Sequence, residues 1–451
     1  MIILLYNLFI LLATVVFFPL WLLVYLKESK FRMRLAGFSL KDLSAVQYKD
    51  TILVQGDSIG EAQVSARFIQ EFKRAFPRYG VVFTTSTRSG LITAQKTRAG
   101  LFDVTGFLPL DHPYPVKKFF DRVNPEILIF AESKLRPNIL REAKKRGVRV
   151  VMLNGWIKDK IYKKVKKYRF FYEPLFAMVD LYCVQNDQEK QKFMELRVAE
   201  ELIHVTGNIK FDRETKEISG IEIKKTREIL GITTKTPVLT AASTHKGEEA
   251  EIIRAFLKCR QQLPAVFLLL APRHPQRAGE IGEMLKKYGL TFFRRGEIKK
   301  GLLSSEKRKF DVLVFDTFGE LDLAYELSTV AFVGGSLVPI GGHNMLEAAA
   351  RRKVVLHGPF THNFREIAAL LDEEGVGRVI GNAGDLAGEF LHLYNHKEKR
   401  RELEEKAEKI VDAHRGAAGR TVEILKETIA KKTTPKKALK RKTSGKRGEL
   451  F

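Results

Sequence analysis

The run VAFVGGSLVPIGGHNMLEAA, residues 330–349, decides the fold. Val330–Val333 is a short apolar run, the mark of a strand buried on both faces of a parallel sheet. Gly334, Gly335 and Ser336 turn the chain, and Gly341, Gly342, His343 and Asn344 follow before a helix begins. Glycines in such a turn let backbone amides approach a phosphate, and the helix N-terminus favours negative charge. Glu347, one helical turn on, is placed to hold a ribose or a base.

Working outward, three more strand ends carry similar chemistry. Ser243-Thr244-His245-Lys246-Gly247-Glu248-Glu249 follows Val238–Ala241, and Pro272-Arg273-His274-Pro275 follows Val266–Ala271. Asp316-Thr317-Phe318-Gly319-Glu320 follows Val312–Phe315. Each alone reads as turn chemistry. Four consecutive strand ends together describe a nucleotide site. Neither GxGxxG nor a Walker A motif is present, which weakens NAD and P-loop readings. The histidines lack zinc-ligand spacing, so a zinc site is not expected.

The strand–helix alternation extends through the chain. Further buried strands are expected at Ile52–Val54, Val81–Thr84, Ile127–Phe130, Val148–Leu153, Leu181–Gln185, His204–Thr206 and Val354–Leu356. Short β-branched runs separated by amphipathic segments predict parallel sheets with helices on both faces. Ala62, Ala66, Ile69, Phe72 and Phe76 recur at helical spacing. Asp212–Lys235 has no strand signal and is rich in Lys and Glu, so the domain junction falls there. The expected division is an anchor at 1–26, a first Rossmann-like domain at 27–213, a linker at 214–235, a second at 236–430 and a tail at 431–451. A cleft between the two domains would hold the ligands. In open α/β sheets ligands bind at the carboxyl ends of the strands.

Turns of the first domain carry polar groups too. Ser58 and Glu61 stand three apart before the Ala62–Phe76 helix, which reads first as a capping box. A general base facing the cleft is the alternative reading of Glu61. Thr84–Gly90, with Arg88, can hold a phosphate or carboxylate at a helix start. Glu132, after another strand, can orient a substrate hydroxyl or simply favour the following helix.

The chain of 451 residues carries 78 Lys+Arg against 53 Asp+Glu, a formal net charge of +25 that predicts an anionic partner. Met1–Leu26 has no charged residue, and Lys27, Lys30, Arg32 and Arg34 follow at once. That pattern predicts an uncleaved membrane anchor with the rest of the chain in the cytoplasm. A monotopic anchor stays open because Pro19 interrupts the run. From Lys431 the tail has nine basic residues against Glu449 and no apolar periodicity, and it is expected to be disordered, either meeting anionic lipid or serving as a solvated solubility tail. No nucleic-acid recognition motif accompanies it. Cys183 and Cys259 exclude a disulfide framework and a Cys-rich zinc site.

The set GGSLVPIGGHNMLEAA, ASTHKGEE, APRHPQR, DTFGEL, GPFTHNF and TGNIKFD closely resembles the 3-deoxy-D-manno-octulosonic acid (Kdo) transferases of lipopolysaccharide synthesis. The resemblance implies a GT-B glycosyltransferase on the cytoplasmic face of the inner membrane. It would move Kdo from CMP-Kdo to the lipid A precursor, lipid IVA, by inverting displacement without a metal or a bound cofactor. The resemblance also makes Glu61, in the SxGE motif, the catalytic base. It places Ser243, Thr244, Arg273, His274, Gly334, Gly335, Ser336, Gly341, Gly342, Asn344 and Glu347 on the donor, and Ser58, Gly60, Arg88 and Glu132 on the acceptor or sugar. The first domain departs from the family pattern: Gln55 replaces a His, Asp57 a small residue, Lys134 a carboxylate and Arg136 a Trp. These departures keep two alternatives open: transfer of a CMP-activated acidic sugar to another acceptor, and an inactive CMP-sugar-binding protein. A nucleotide-sugar epimerase shares the form but explains neither the anchor nor the motif set.

Overall fold

The computed structural model describes residues 2–17, 34, 50–96, 100–132, 134–212, 217–299 and 310–433. The chain divides into two compact units. One runs up to Asp212 and resumes at Arg415, and the other is Arg213–His414.

The first unit is a parallel sheet of seven strands: β1 Thr51–Gln55, β2 Gly80–Thr85, β3 Val104–Phe107, β4 Ile127–Ala131, β5 Arg149–Gly155, β6 Leu181–Val184 and β7 Ile203–Val205. Their spatial order is β3-β2-β1-β4-β5-β6-β7, the doubly wound arrangement with its switch point between β1 and β4. Strand alternation sends Ile52 and Val54 into one core and Leu53 into the other. Both faces are therefore covered by helices, as the apolar runs require.

The second unit repeats the plan with β8 Val238–Thr244, β9 Phe267–Pro272, β10 Phe292–Arg294, β11 Val312–Val314, β12 Val330–Val333, β13 Val355–His357 and β14 Gly377–Val379. The order is β10-β11-β9-β8-β12-β13-β14, and its switch point lies between β8 and β12. Every strand expected from sequence is present. The unanticipated ones, β3, β10 and β14, are all edge strands. An edge strand of three or four residues is short and partly exposed, so it lacks the continuous apolar run that marks a central one.

Two expected boundaries are corrected. The 214–235 stretch is not a free linker: Gly220–Leu230 is a helix capped by Ser219, and Leu230 and Ile232 enter the second unit's core with Val238 and Phe267. The second domain does not run to 430. The helix Ala417–Thr433 belongs to the first unit, where Ala417, Ala418, Val422 and Leu425 pack with Ile52, Phe83 and Cys183. Asp212 fixes its start by accepting the Gly416, Ala417 and Ala418 amides at 2.6, 3.1 and 2.6 Å. Two segments of the chain far apart in sequence thus close one core.

Of the expected 1–26 anchor the structure describes the helix Ile2–Val16. Among the described residues no helix is long and apolar enough to cross a membrane. Ile3 packs on the first unit's core, and the Tyr6 hydroxyl donates to Asp111 Oδ2 at 3.0 Å. Leu5, Leu8, Phe9, Leu12, Val15 and Val16 stay exposed. The remainder of 1–26, and the tail from 434, lie outside the described residues.

Both cysteines sit in cores, where burial pushes each thiol up to about 12. A thiolate is the reactive form. We expect a thiol reagent at pH 8 to leave the folded protein unlabelled and to titrate both thiols after unfolding in guanidinium.

Candidate active site

Each sheet leaves an opening above the carboxyl end of its switch point, because the crossovers from the two central strands run to opposite faces. In the first unit the loops there follow β1 and β4. They carry Asp57, Ser58 and Glu61 from one side, and Glu132, Lys134 and Arg136 from the other.

Ser58 caps the Ile59–Ala75 helix, its Oγ accepting the Glu61 amide at 3.1 Å. The capping box is only half made. The Glu61 carboxylate does not return to Ser58; its Oε2 accepts the Asp57 amide at 2.7 Å and its Oε1 takes Lys134 Nζ at 3.2 Å. Glu61 is 4 % exposed. Burial raises its pKa above the usual carboxylate value and Glu132 adds to this; the Asp57 amide and Lys134 pull the other way. A buried carboxylate with elevated basicity, fixed by an amide on one oxygen and reached by an exposed lysine on the other, suits a general base.

Asp57 behaves differently. Its burial opposes ionisation, but Arg136 Nη2 at 2.7 Å and the Ser86 amide at 2.8 Å outweigh that and hold its pKa below the ordinary value. Glu132 sits in the left-handed region at φ 63°, facing Lys210 Nζ at 3.6 Å. Gly60 is partly buried with open room around it, and Arg88 is exposed at the start of the helix after β2. Beside Lys134 and Arg136 lies a groove of about 330 Å³, lined by Leu135, Ile157, Ile161, Val165, Tyr172 and Phe176.

In the second unit the loops after β8 and β12 meet through one carboxylate. Glu248 is 0 % exposed. It accepts the amides of His245 at 2.8 Å, Gly335 at 2.8 Å, Ser336 at 3.0 Å and Leu337 at 2.9 Å. This corrects the sequence expectation for Gly335 and Ser336: their amides are directed inward to Glu248, and no phosphate is needed to satisfy them. Ser336 Oγ is also used internally, donating to Val333 O at 2.6 Å and accepting the Gly358 amide at 2.9 Å. Gly334 is required for a different reason, since a Cβ there would stand 2.7 Å from Ser243 O and 2.8 Å from Glu248 Oε2.

Around that scaffold, Ser243 adopts φ 57°, and the buried Thr244 hydroxyl donates to Glu249 at 3.1 Å. Glu249 is held in turn by Arg277 at 2.6 Å. Arg273 and His274 are exposed at the end of β9. His245 and His343 stack, with their Nε2 atoms 2.8 Å apart. Burial, then Arg273, brings His343 down to about 4, so the pair is neutral at pH 7 and one ring donates to the other. Gly341 and Gly342, at φ 105° and 78°, turn the chain, and Asn344 Oδ1 accepts the Leu346 amide at 3.2 Å. Glu347 is half-buried at the start of the next helix. Among the described residues no group of three His, Cys, Asp or Glu side chains is placed to hold a metal.

Sequence reasoning missed the Lys134 and Arg136 ion pairs, and it missed Glu248. A fixed spacing signals a motif, but a pair closed over 73 or 87 residues leaves no local trace.

Two doubly wound units, each with polar groups gathered at its switch point, define the architecture of GT-B glycosyltransferases and nucleotide-sugar epimerases. A glycosyltransferase from Rickettsia africae has this fold (TM-score 0.55, 14% identity, 84% of this chain and 99% of that one). So does a UDP-GlcNAc 2-epimerase from Neisseria meningitidis bound to UDP-GlcNAc (TM-score 0.56, 12% identity, 84% and 100%). A family model described as 3-deoxy-D-manno-octulosonic-acid transferase (kdotransferase) matches residues 29–213. The 3-deoxy-D-manno-octulosonic acid transferase of Haemophilus influenzae is 30% identical over 408 residues, covering 90% of this chain and 93% of that protein. The Chlamydia trachomatis transferase is 27% identical over 83% and 85%. The chain belongs to the Kdo transferase family.

Proposed function

We propose that the protein transfers Kdo from CMP-Kdo to lipid IVA by inverting displacement, with Glu61 as general base. The observation that carries this is Glu61 itself: it is buried at the first unit's switch point and raised in basicity, with one oxygen fixed by the Asp57 amide. Glu61 takes the proton of the acceptor hydroxyl as that oxygen attacks the anomeric carbon, and CMP departs from the other face. The second unit supplies the donor's binding groups. Because Glu248 occupies the amides of the β12 turn, the anionic parts of the donor fall to Arg273, His274 and the residues around Gly341–Asn344. Glu347 takes the ribose or base. The reaction needs no metal in this reading, and chelator leaves the rate unchanged.

The first unit suits a lipid acceptor. Its groove offers an apolar wall beside two cations. On the Asp159–Lys167 helix, Ile161 is exposed among Lys158, Lys160, Lys163 and Lys164, and the Ile2–Val16 helix shows an apolar side. Apolar surface flanked by lysines binds anionic bilayers, which supports the reading of a protein at the cytoplasmic face of the inner membrane. The departures at Lys134, where the family has a carboxylate, and Arg136, where it has a Trp, favour one rival, a transferase acting on a different acceptor. The anomer settles the mechanism. Proton NMR of the product should show inversion relative to CMP-Kdo, with CMP release dependent on lipid IVA. A retained anomer, or equal CMP release without lipid, contradicts the reading.

A further inference from the structure

In the first-unit site Lys134, Arg136 and Lys210 face the carboxylates of Asp57, Glu61 and Glu132, and Lys134 stands apart. Arg136 is committed to Asp57 at 2.7 Å, and Lys210 faces Glu132 at 3.6 Å; both side chains are largely covered. Lys134 is 54 % exposed, yet its ammonium lies 3.2 Å from the Glu61 carboxylate and 3.8 Å from Asp57. It forms the solvent-side cover of a buried carboxylate pair.

Two buried carboxylates this close disfavour each other's ionisation. Asp57 has Arg136 and the Ser86 amide to keep it charged. Glu61 has the Asp57 amide on Oε2, and Lys134 is the cation on Oε1. Glu132, from the loop after β4, and Asp57 both push against it. Arg34 lies on the Asp57–Arg136 side.

Resting on the reading of Glu61 as base, we propose that Lys134 is a positioning residue: it holds the Glu61 carboxylate ionised, with Oε1 turned to the solvent side where an acceptor hydroxyl arrives. The same lysine lines the apolar groove, so the mouth of that groove and the base share one cation. Lys134 therefore ties the place where an amphipathic acceptor enters to the protonation state of the group that deprotonates it.

The sign follows directly. An adjacent cation favours the charged form of a carboxyl group, so removing it raises the Glu61 pKa. The test is a carbon-13 NMR titration of the side-chain carboxyls in the full-length protein, with the Glu61 signal assigned by its loss in Glu61→Gln. In Lys134→Met the Glu61 carboxyl should titrate at higher pH than in wild type, and Lys134→Arg should restore it. The acid limb of the pH–rate profile for Kdo transfer should move the same way. An unmoved Glu61 titration in Lys134→Met overturns the proposal. The titration reads the pair without turnover, so it stands apart from the transfer reading. An active Glu61→Gln sinks that reading while leaving the ion pair measurable.

Discussion

Glu61→Gln should lose roughly 10²–10⁴-fold in kcat with little change in fold, the usual contribution of a positioned base. That is about 2.7–5.4 kcal/mol of transition-state stabilisation. The substitution is nearly isosteric, and an amide oxygen can still accept the Asp57 backbone N–H that Glu61 Oε2 accepts at 2.7 Å. Ser58 continues to cap the helix through the backbone of residue 61. The loss should therefore fall on turnover rather than on stability or donor affinity. Steady-state kinetics with a parallel thermal melt separates these. Near-wild-type kcat removes Glu61 from the role of base.

The second large effect is on stability. Glu248→Ala should destabilise the Arg213–His414 unit by about 4 kcal/mol or more, since each unpaired buried amide costs roughly 1–3 kcal/mol. Four amides lose their acceptor at once: those of His245, Gly335, Ser336 and Leu337. Glu248→Gln should rescue poorly. Each carboxylate oxygen serves two amides, and a carboxamide would face one of those pairs with another donor. A urea titration reads the shift in midpoint. A change of less than 0.5 kcal/mol, the range of surface substitutions, would show that the β12 turn does not depend on this carboxylate. Donor affinity should fall with stability, because Gly341–Asn344 stand on the same loop.

The central architecture was legible because buried parallel strands write continuous apolar runs into the chain. Val330–Val333 and Ile127–Phe130 are examples, and both lie in the interior of their sheets. The short edges were not legible. Gly377–Val379 contributes a glycine, an arginine and an exposed valine, a pattern that any loop can show. Nor was the return of Ala417–Thr433 to the first unit. Its amphipathic face fits any core, and its destination is set by Asp212, 204 residues earlier.

The site shows the same division. Ser58 and Glu61 could be seen together because a cap and a base sit within one turn. Their spacing could not decide between the two roles. Geometry shows that the backbone of Glu61 serves the cap while its carboxylate is left for Asp57 and Lys134. The glycines of the β12 turn misled in one respect. Their composition suits amides aimed at a phosphate, but Glu248 at the start of the Glu248–Gln262 helix already fills that role for three of them. The departures at Asp57, Lys134 and Arg136 read singly as losses of motif residues. In the fold they are one set, two new cations facing two carboxylates at 2.7–3.8 Å.

The most direct measurement is mass spectrometry of lipid IVA after incubation with CMP-Kdo and the purified protein. The lipid should gain the mass of one or more Kdo residues, with CMP released in equal amount. Unchanged lipid IVA with intact CMP-Kdo, in a preparation whose melt shows a folded protein, would contradict the assignment of this donor and acceptor.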